Sequence, residues 1–467
     1  MTERENLPIA VIGAGPVGMA AAAHLVSRGL VPLVFERGTS VGGAMGEWSH
    51  VRVFSPWLYN IDAAAKVLLS ATGWDAPEDT ELPTGGEIVA RYLTPLAALP
   101  QLAPHLRLGA TVTAVARQGL DKMSSAGRHR TPFAIRWTDA EGNEQVSLAR
   151  AVIDASGTWS QPNPIGVDGL PVPGERAARE LIAYGIPDVL GPAREHYAGR
   201  TVLVVGSGHS AINTALGLLA LQAQAPDTKV LWALRRNRLE RLLGGGLNDQ
   251  LPERGALGLA AKRAIDAGQL QVLAPFAATR IARREAGLVV TGTLGPAPVS
   301  LEVDRIIVAT GFRPDLGLLS ELRIAIDPAT EAPPALSPLI DPNVHSCGDV
   351  PPHGVDELSH PEAGLYIVGA KSYGRAPTFL MATGYEQVRS IVAELAGDHV
   401  AARQLQLVLP QTGVCSADPL VGSSSCCGGP VASASSCCVA DEVAKAEGEA
   451  GCGCGTAASA ARVVEPA

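Results

Sequence analysis

Before residue 415 the 467-residue chain contains one cysteine, Cys347. That scarcity excludes a disulfide framework, and it leaves no CxxC or CxxxxC pair through which a folded body passes electrons as thiols. Positive charge is also short. Lys and Arg total 37 against 46 Asp and Glu, a net −9, which argues against a nucleic-acid surface. No apolar run approaches the length of a membrane span, and the opening MTERENLP is no signal peptide. The expected place is therefore the cytoplasm, with neither membrane nor nucleic acid as partner. Aromatic residues stop at Tyr385, and from about Pro410 the chain is mostly Ser, Ala, Gly and Cys. Such a composition buries no core, so 410–467 is expected to be a disordered, Cys-rich C-terminal tail.

What is present begins at Ile9–Gly18, IAVIGAGPVG. Four apolar residues, Ile9 to Ile12, suit a central parallel strand. Gly13 permits a tight turn, Gly15 lets a pyrophosphate approach the backbone, and Gly18 lets a helix lie close on the strand. The helix N-terminus, at Pro16 and Val17, offers free N–H groups and its positive dipole end to phosphate. A second strand, Val31–Phe35, ends at Glu36, where a carboxylate suits a ribose diol. Arg37 follows, then Gly42-Gly43 and Trp48, which suggest backbone packed against something flat. Leu106–Val115 and Phe133–Trp137 read as strands of a small sheet, and Pro83–Leu99 as a helix.

Thr201–Ala211, TVLVVGSGHSA, repeats the theme. Val202 to Val205 lead into Gly206, Gly208, His209, Ser210 and Ala211, with alanine at the third glycine position. The next strand, Lys229–Leu234, ends in Arg235-Arg236. Two guanidiniums there suit the 2′-phosphate of NADP as an acid suits NAD. Ile306–Gly311, Val344–Pro352 and Leu365–Gly369 read as late strands entering glycine turns, and Thr378–Leu395 as the closing helix. The expected fold is α/β, with two Rossmann-like dinucleotide-binding domains. An FAD-binding domain spans 1–165 and 305–409, an NADPH-binding domain at 166–304 is inserted in it, and the tail is 410–467.

These motifs resemble the two-dinucleotide-binding flavoproteins, and within them the flavin-containing monooxygenases. The resemblance rests on Gly13–Gly18, Glu36, Gly42-Gly43 with Trp48, Gly206–Ala211, and the linker motifs Asp154-Ala155-Ser156-Gly157 and Ala309-Thr310-Gly311. It covers roughly 8–400. It departs at FxGxxxH, which is not present before Thr201. The segment LIDPNVHSCGDVPPHGVDELSHPEAGLYIVGAKSYGRAPTFLMATGYEQVRS, with the cysteine tail, is similar to the flavin-binding monooxygenases of arsenic-resistance operons. The resemblance implies FAD at the first turn and NADPH at the second. It also implies a Gly-Asp pair holding the flavin's ribityl chain, for which Gly348-Asp349 and Gly369 (followed by Ala370-Lys371) are rivals.

The mechanism it implies passes hydride from NADPH to flavin, then one oxygen atom of O2 to a small soft nucleophile in a dry pocket. Arg52, His353, Lys371 and Tyr373 are the candidate pocket residues. The tail's Cys426-Cys427, Cys437-Cys438 and Cys452-Gly453-Cys454 are closely spaced soft thiolates of a kind that can share a trivalent arsenic centre, so the tail is expected to capture As(III). Two other classes stay open. One is an NADPH-driven flavin reductase sending electrons through those thiols to a metalloid or disulfide. The other is a non-enzymatic metalloid-binding protein.

Overall fold

A computed structural model of the chain describes residues 3–236, 252–344, 350–376 and 380–407. The chain enters through β1 (Ile9–Ile12), α1 (Pro16–Ser27) and β2 (Pro32–Glu36). Helix α2 (Ala63–Ser70) and an irregular helical run over 85–97, with a π turn at Val89–Leu93, lead to β3 (Leu106–Leu108). An antiparallel meander follows, β4 (Thr111–Arg117), β5 (Phe133–Thr138) and β6 (Glu144–Ala149), and then β7 (Ala151–Asp154). The second half runs β8 (Ile182–Tyr184), β9 (Thr201–Val205), α3 (His209–Gln224), β10 (Lys229–Ala233), α4 (Pro252–Asp266) and β11 (Gln271–Leu273). A second meander, β12 (Phe276–Arg283), β13 (Leu288–Leu294) and β14 (Ala297–Val303), precedes β15 (Arg305–Val308), β16 (Leu365–Ile367) and α5 (Met381–Leu395).

Two five-stranded parallel sheets organise the molecule, ordered β16-β7-β1-β2-β3 and β11-β10-β9-β15-β8. β1 is buried at every position, as a parallel strand covered on both faces must be. Ala20 to Ala23 are fully buried on α1, and these small side chains let the helix lie against the sheet and against α5. The register sets the site. Ile12 is level with Phe35 and Asp154, so the carboxyl ends of β1, β2 and β7 lie along one edge. In the second sheet Val205 is level with Ala233 and Val308.

Several expectations are corrected. Leu106–Val115 is not one strand: Gly109, at φ +68°, turns the chain between β3, in the parallel sheet, and β4, in the meander. Arg305–Val308, expected to open the returning half, pairs with β9, so the return begins after Val308. Val344 lies in a turn and Val350–Pro352 form no strand, while 345–349 lie outside the described residues. The closing helix begins at Met381, with 377–379 also outside them.

The first meander is fastened by buried charge. Glu362, just before β16, accepts from Arg117 Nε at 2.7 Å, from Arg128 Nη2 at 2.7 Å and from the Arg323 backbone N–H at 3.1 Å. Burial alone would raise its carboxyl, but the bonds from Arg128 and Arg117 outweigh it and hold the group below its usual 4.5. Its stabilisation is present above that ordinary value and fades as pH falls through the depressed native one. Glu362→Ala strands two buried guanidiniums and is expected to cost about 3–5 kcal/mol, read by urea unfolding at neutral pH. An unchanged midpoint would refute this.

Candidate active site

The turn after β1 is built by contacts no side chain survives. A Cβ at Gly13 (φ +97°) would stand 2.8 Å from the Ala155 carbonyl oxygen, and one at Gly18 would stand 1.9 Å from the Gly13 carbonyl oxygen. Gly15 is different. Its φ is an ordinary −75°, and a Cβ there meets nothing within 4 Å. Its missing side chain leaves open the space over the N-terminus of α1, which is what a phosphate group needs. Glu36 is buried beside this turn, its Oε2 accepting from the Ala14 N–H and its Oε1 from the Gly38 N–H, each at 2.8 Å. A carboxylate so held keeps further lone pairs for a diol. Gly43 lies close to Glu36, Trp48 packs under Gly85, and Arg37 is exposed.

The second turn follows the same logic. A Cβ at Gly206 would stand 2.2 Å from the Ala309 carbonyl oxygen, whereas Gly208 is open and Ala211 is buried in α3. Trp232 Nε1 donates to the Gly206 carbonyl at 2.8 Å. Arg235 and Arg236 are exposed just past β10, and Ser210 is half-buried. His209 sits with its ring centroid 5.1 Å from that of Phe54, which comes from the first half of the chain.

Two crossings join the halves. Trp159 stacks on Phe312 at 4.5 Å. Thr310 Oγ1 donates to the Asn163 carbonyl at 2.9 Å and Asn163 Nδ2 to the Thr310 carbonyl at 3.1 Å, beside Gly311 at φ +86°. Of the rival late turns, Gly369 (φ +69°) lies just past β16, with its ideal Cβ position 3.4 Å from Val17 in the first turn of α1. Gly348 and Asp349 lie outside the described residues, as do Cys426, Cys427, Cys437, Cys438, Cys452 and Cys454. Among the described residues no group of His, Cys, Asp and Glu is placed to hold a metal, and none is a cysteine. No described helix is long and apolar enough to cross a membrane.

His353, Lys371 and Tyr373 are all buried, and His353 lies beside Tyr373 while Lys371 turns to Asp154. His353 Nδ1 is 3.1 Å from the Pro351 carbonyl, and its Nε2 is 2.8 Å from Gln387 Nε2. The consistent assignment is a neutral ring that donates through Nδ1 and accepts through Nε2, which leaves neither nitrogen for substrate. Burial lowers its pKa against the pull of the Pro351 carbonyl. The Tyr373 ring lies 5.6 Å away, and burial raises its hydroxyl well above the ordinary value. Lys371 is buried because its charge is paired: Nζ is 2.7 Å from Asp154 Oδ2 and 3.0 Å from Ser156 Oγ. Arg52 is exposed, bonded to the Leu82 carbonyl and 3.9 Å from Glu87. Asp154, Ser156 and Gln387 were not among the expected site residues. The usable signal was Asp154 itself, an acid at the end of a strand buried at every position, which requires a cation.

Two phosphate-accepting turns, each at the carboxyl edge of its own parallel sheet, define a two-dinucleotide-binding flavoprotein of α/β fold. The family model for pyridine nucleotide-disulphide oxidoreductases matches residues 10–339, and the chain belongs to that family. It is similar to a ferredoxin–NADP reductase of Lactiplantibacillus plantarum, 26% identical over 388 residues covering 82% of this chain and 95% of that one. It is also similar to the rice (Oryza sativa subsp. japonica) indole-3-pyruvate monooxygenase YUCCA1, 30% identical over 209 residues and 44% of each chain. The chain spans about half the length of the first curated relatives it matches. Among solved structures it is similar to bacillithiol disulfide reductase Bdr (YpdA) of Bacillus cereus, with TM-score 0.61, 18% identity, and coverage of 84% of this chain and 99% of that one.

The open and closed glycines make a paired prediction. Gly15→Ala is expected to change unfolding stability by less than about 0.5 kcal/mol while flavin content on purification collapses. Gly18→Ala is expected to destabilise the fold itself, by about 2 kcal/mol or more. Equal effects of the two on stability would contradict this division of labour.

Proposed function

We propose that the chain is an NADPH-dependent FAD monooxygenase that oxygenates a soft nucleophile, an arsenical being the substrate class, in the cytoplasm. The observation that carries the reading is the pairing of two dinucleotide turns with a described body that contains no thiol. With no dithiol among the described residues, the body that carries the two turns offers electrons no internal disulfide to reduce. Likeness to a monooxygenase supports oxygen as the acceptor. The balance is NADPH, a proton, O2 and substrate giving NADP+, water and the singly oxygenated product.

Bound FAD supplies hydride acceptance and the activation of oxygen. The chain's residues do the rest. The N-terminus of α1 and the open face of Gly15 hold its diphosphate, Glu36 its ribose, and Gly43, Trp48 and Gly369 border the cofactor. Gly208 and the start of α3 hold the NADPH diphosphate, with Arg235 and Arg236 on its 2′-phosphate. The tail thiols take up As(III) and raise its concentration at the pocket. Reduction of an external acceptor is the second reading, favoured by similarity to a ferredoxin–NADP reductase over nearly that protein's whole length.

Two measurements test this. Oxygen uptake, hydrogen peroxide and oxidised arsenic are followed with NADPH and arsenite, in the full chain and in one ended after Pro410. The expected result is one oxidised arsenic per O2, with a raised arsenite KM after truncation. Stoichiometric peroxide would make the protein an oxidase, and equal anaerobic turnover with an added acceptor would favour the reductase. Separately, Arg235→Ala is expected to raise the KM for NADPH roughly tenfold and leave that for NADH unchanged. Equal effects on the two would remove the 2′-phosphate assignment.

A further inference from the structure

The buried pair Lys371–Asp154 has no role in the scheme above. Such a pair is a poor stabilising device, since both ions lose water and apolar side chains of similar volume often serve as well. Its placement is informative. Asp154 is level with Ile12 at the carboxyl edge of the first sheet, directly beneath the first glycine turn. The third member, Ser156, is exposed. Its Cα lies 3.0 Å from where a Cβ on Gly13 would stand, so it flanks that turn.

The two charges fix the Ser156 hydroxyl completely. Its O–H donates to Asp154 Oδ1 at 2.6 Å, and its oxygen accepts from Lys371 Nζ at 3.0 Å. The Ser156 N–H donates to the same carboxylate oxygen at 3.1 Å. A serine hydroxyl has one donor and two lone pairs. With the donor and one lone pair spent inside the protein, the hydroxyl oxygen of this exposed residue has one lone pair to offer and no proton. It cannot donate to a phosphate, but it can accept from a hydroxyl.

We propose that Ser156 is a cofactor-binding residue that accepts a hydrogen bond from a sugar-chain hydroxyl of FAD, and that Lys371 and Asp154 are positioning residues that lock its rotor as an acceptor. This rests on FAD occupying the first turn and is independent of what the reduced flavin then does. Glu36 already serves the ribose, so the ribityl chain is the hydroxyl source the arrangement favours.

The test is the rate at which holoprotein releases FAD into flavin-free buffer, followed by flavin fluorescence. Ser156→Ala is expected to speed release roughly fivefold, and Ser156→Thr, which keeps the hydroxyl, to restore it. The double variant Lys371→Met/Asp154→Asn removes both charges together and is expected to match Ser156→Ala. Adding Ser156→Ala to that double should bring no further change, because both act through one oxygen. Additive effects would make the ion pair merely structural, and a Ser156→Ala protein with the native release rate would overturn the proposal. With NADP+ saturating the second turn, ADP affinity of the stripped protein should be unaffected by Ser156→Ala. A loss there equal to that for FAD would overturn the ribityl assignment. A native protein that purifies without FAD would instead overturn the reading of the first turn, and this proposal with it.

Discussion

Everything in this molecule depends on carbonyl oxygens that sit where side chains would normally be. The Gly13 carbonyl lies against Gly18, and the Ala309 carbonyl against Gly206. The first contact lets a helix start directly over the end of a parallel strand, and the second lets two strand ends close beneath the turn. Only in that position do unsatisfied N–H groups of the first helical turn face the open edge of the sheet. A methyl group at Gly18 would push helix and strand apart, and one at Gly206 would push the ends of β9 and β15 apart. The fold and the cofactor chemistry are therefore one constraint, applied twice in the same chain.

Parallel pairing extends that constraint sideways. Because β1, β2 and β7 are in step, Gly13, Glu36 and Asp154 reach the edge together. The Glu36 carboxylate is then held by two backbone N–H groups, so it is fixed before any ligand arrives. Such preorganisation lowers the ordering cost of binding. The second sheet presents the same edge with two exposed arginines, Arg235 and Arg236, in place of the acid.

Local patterns were legible in the sequence, and distant pairings were not. The glycine turns, the acid after β2 and the arginines after β10 follow from strand periodicity and glycine spacing, which act over about ten residues. The assignment of β3 and β4 to different sheets hinges on one left-handed glycine, and an apolar run read by periodicity alone passes over it. Lys371 read as a pocket residue because its partner, Asp154, lies 217 residues away. Glu362 and Arg117 are 245 apart. Sequence shows that a buried charge needs a partner, but only the packed chain shows which one. The surroundings of His353 were hidden for a related reason: one hydrogen-bond partner is Pro351 nearby, but the other is Gln387 on the closing helix.

The described body contains no cysteine. Trivalent arsenicals, heavy metals and alkylating electrophiles inactivate most thiol-dependent oxidoreductases by capping the sulfur that does the work. Here such reagents find no sulfhydryl in the described framework that carries the two glycine turns. Any capping by such reagents therefore falls on cysteines outside the described residues.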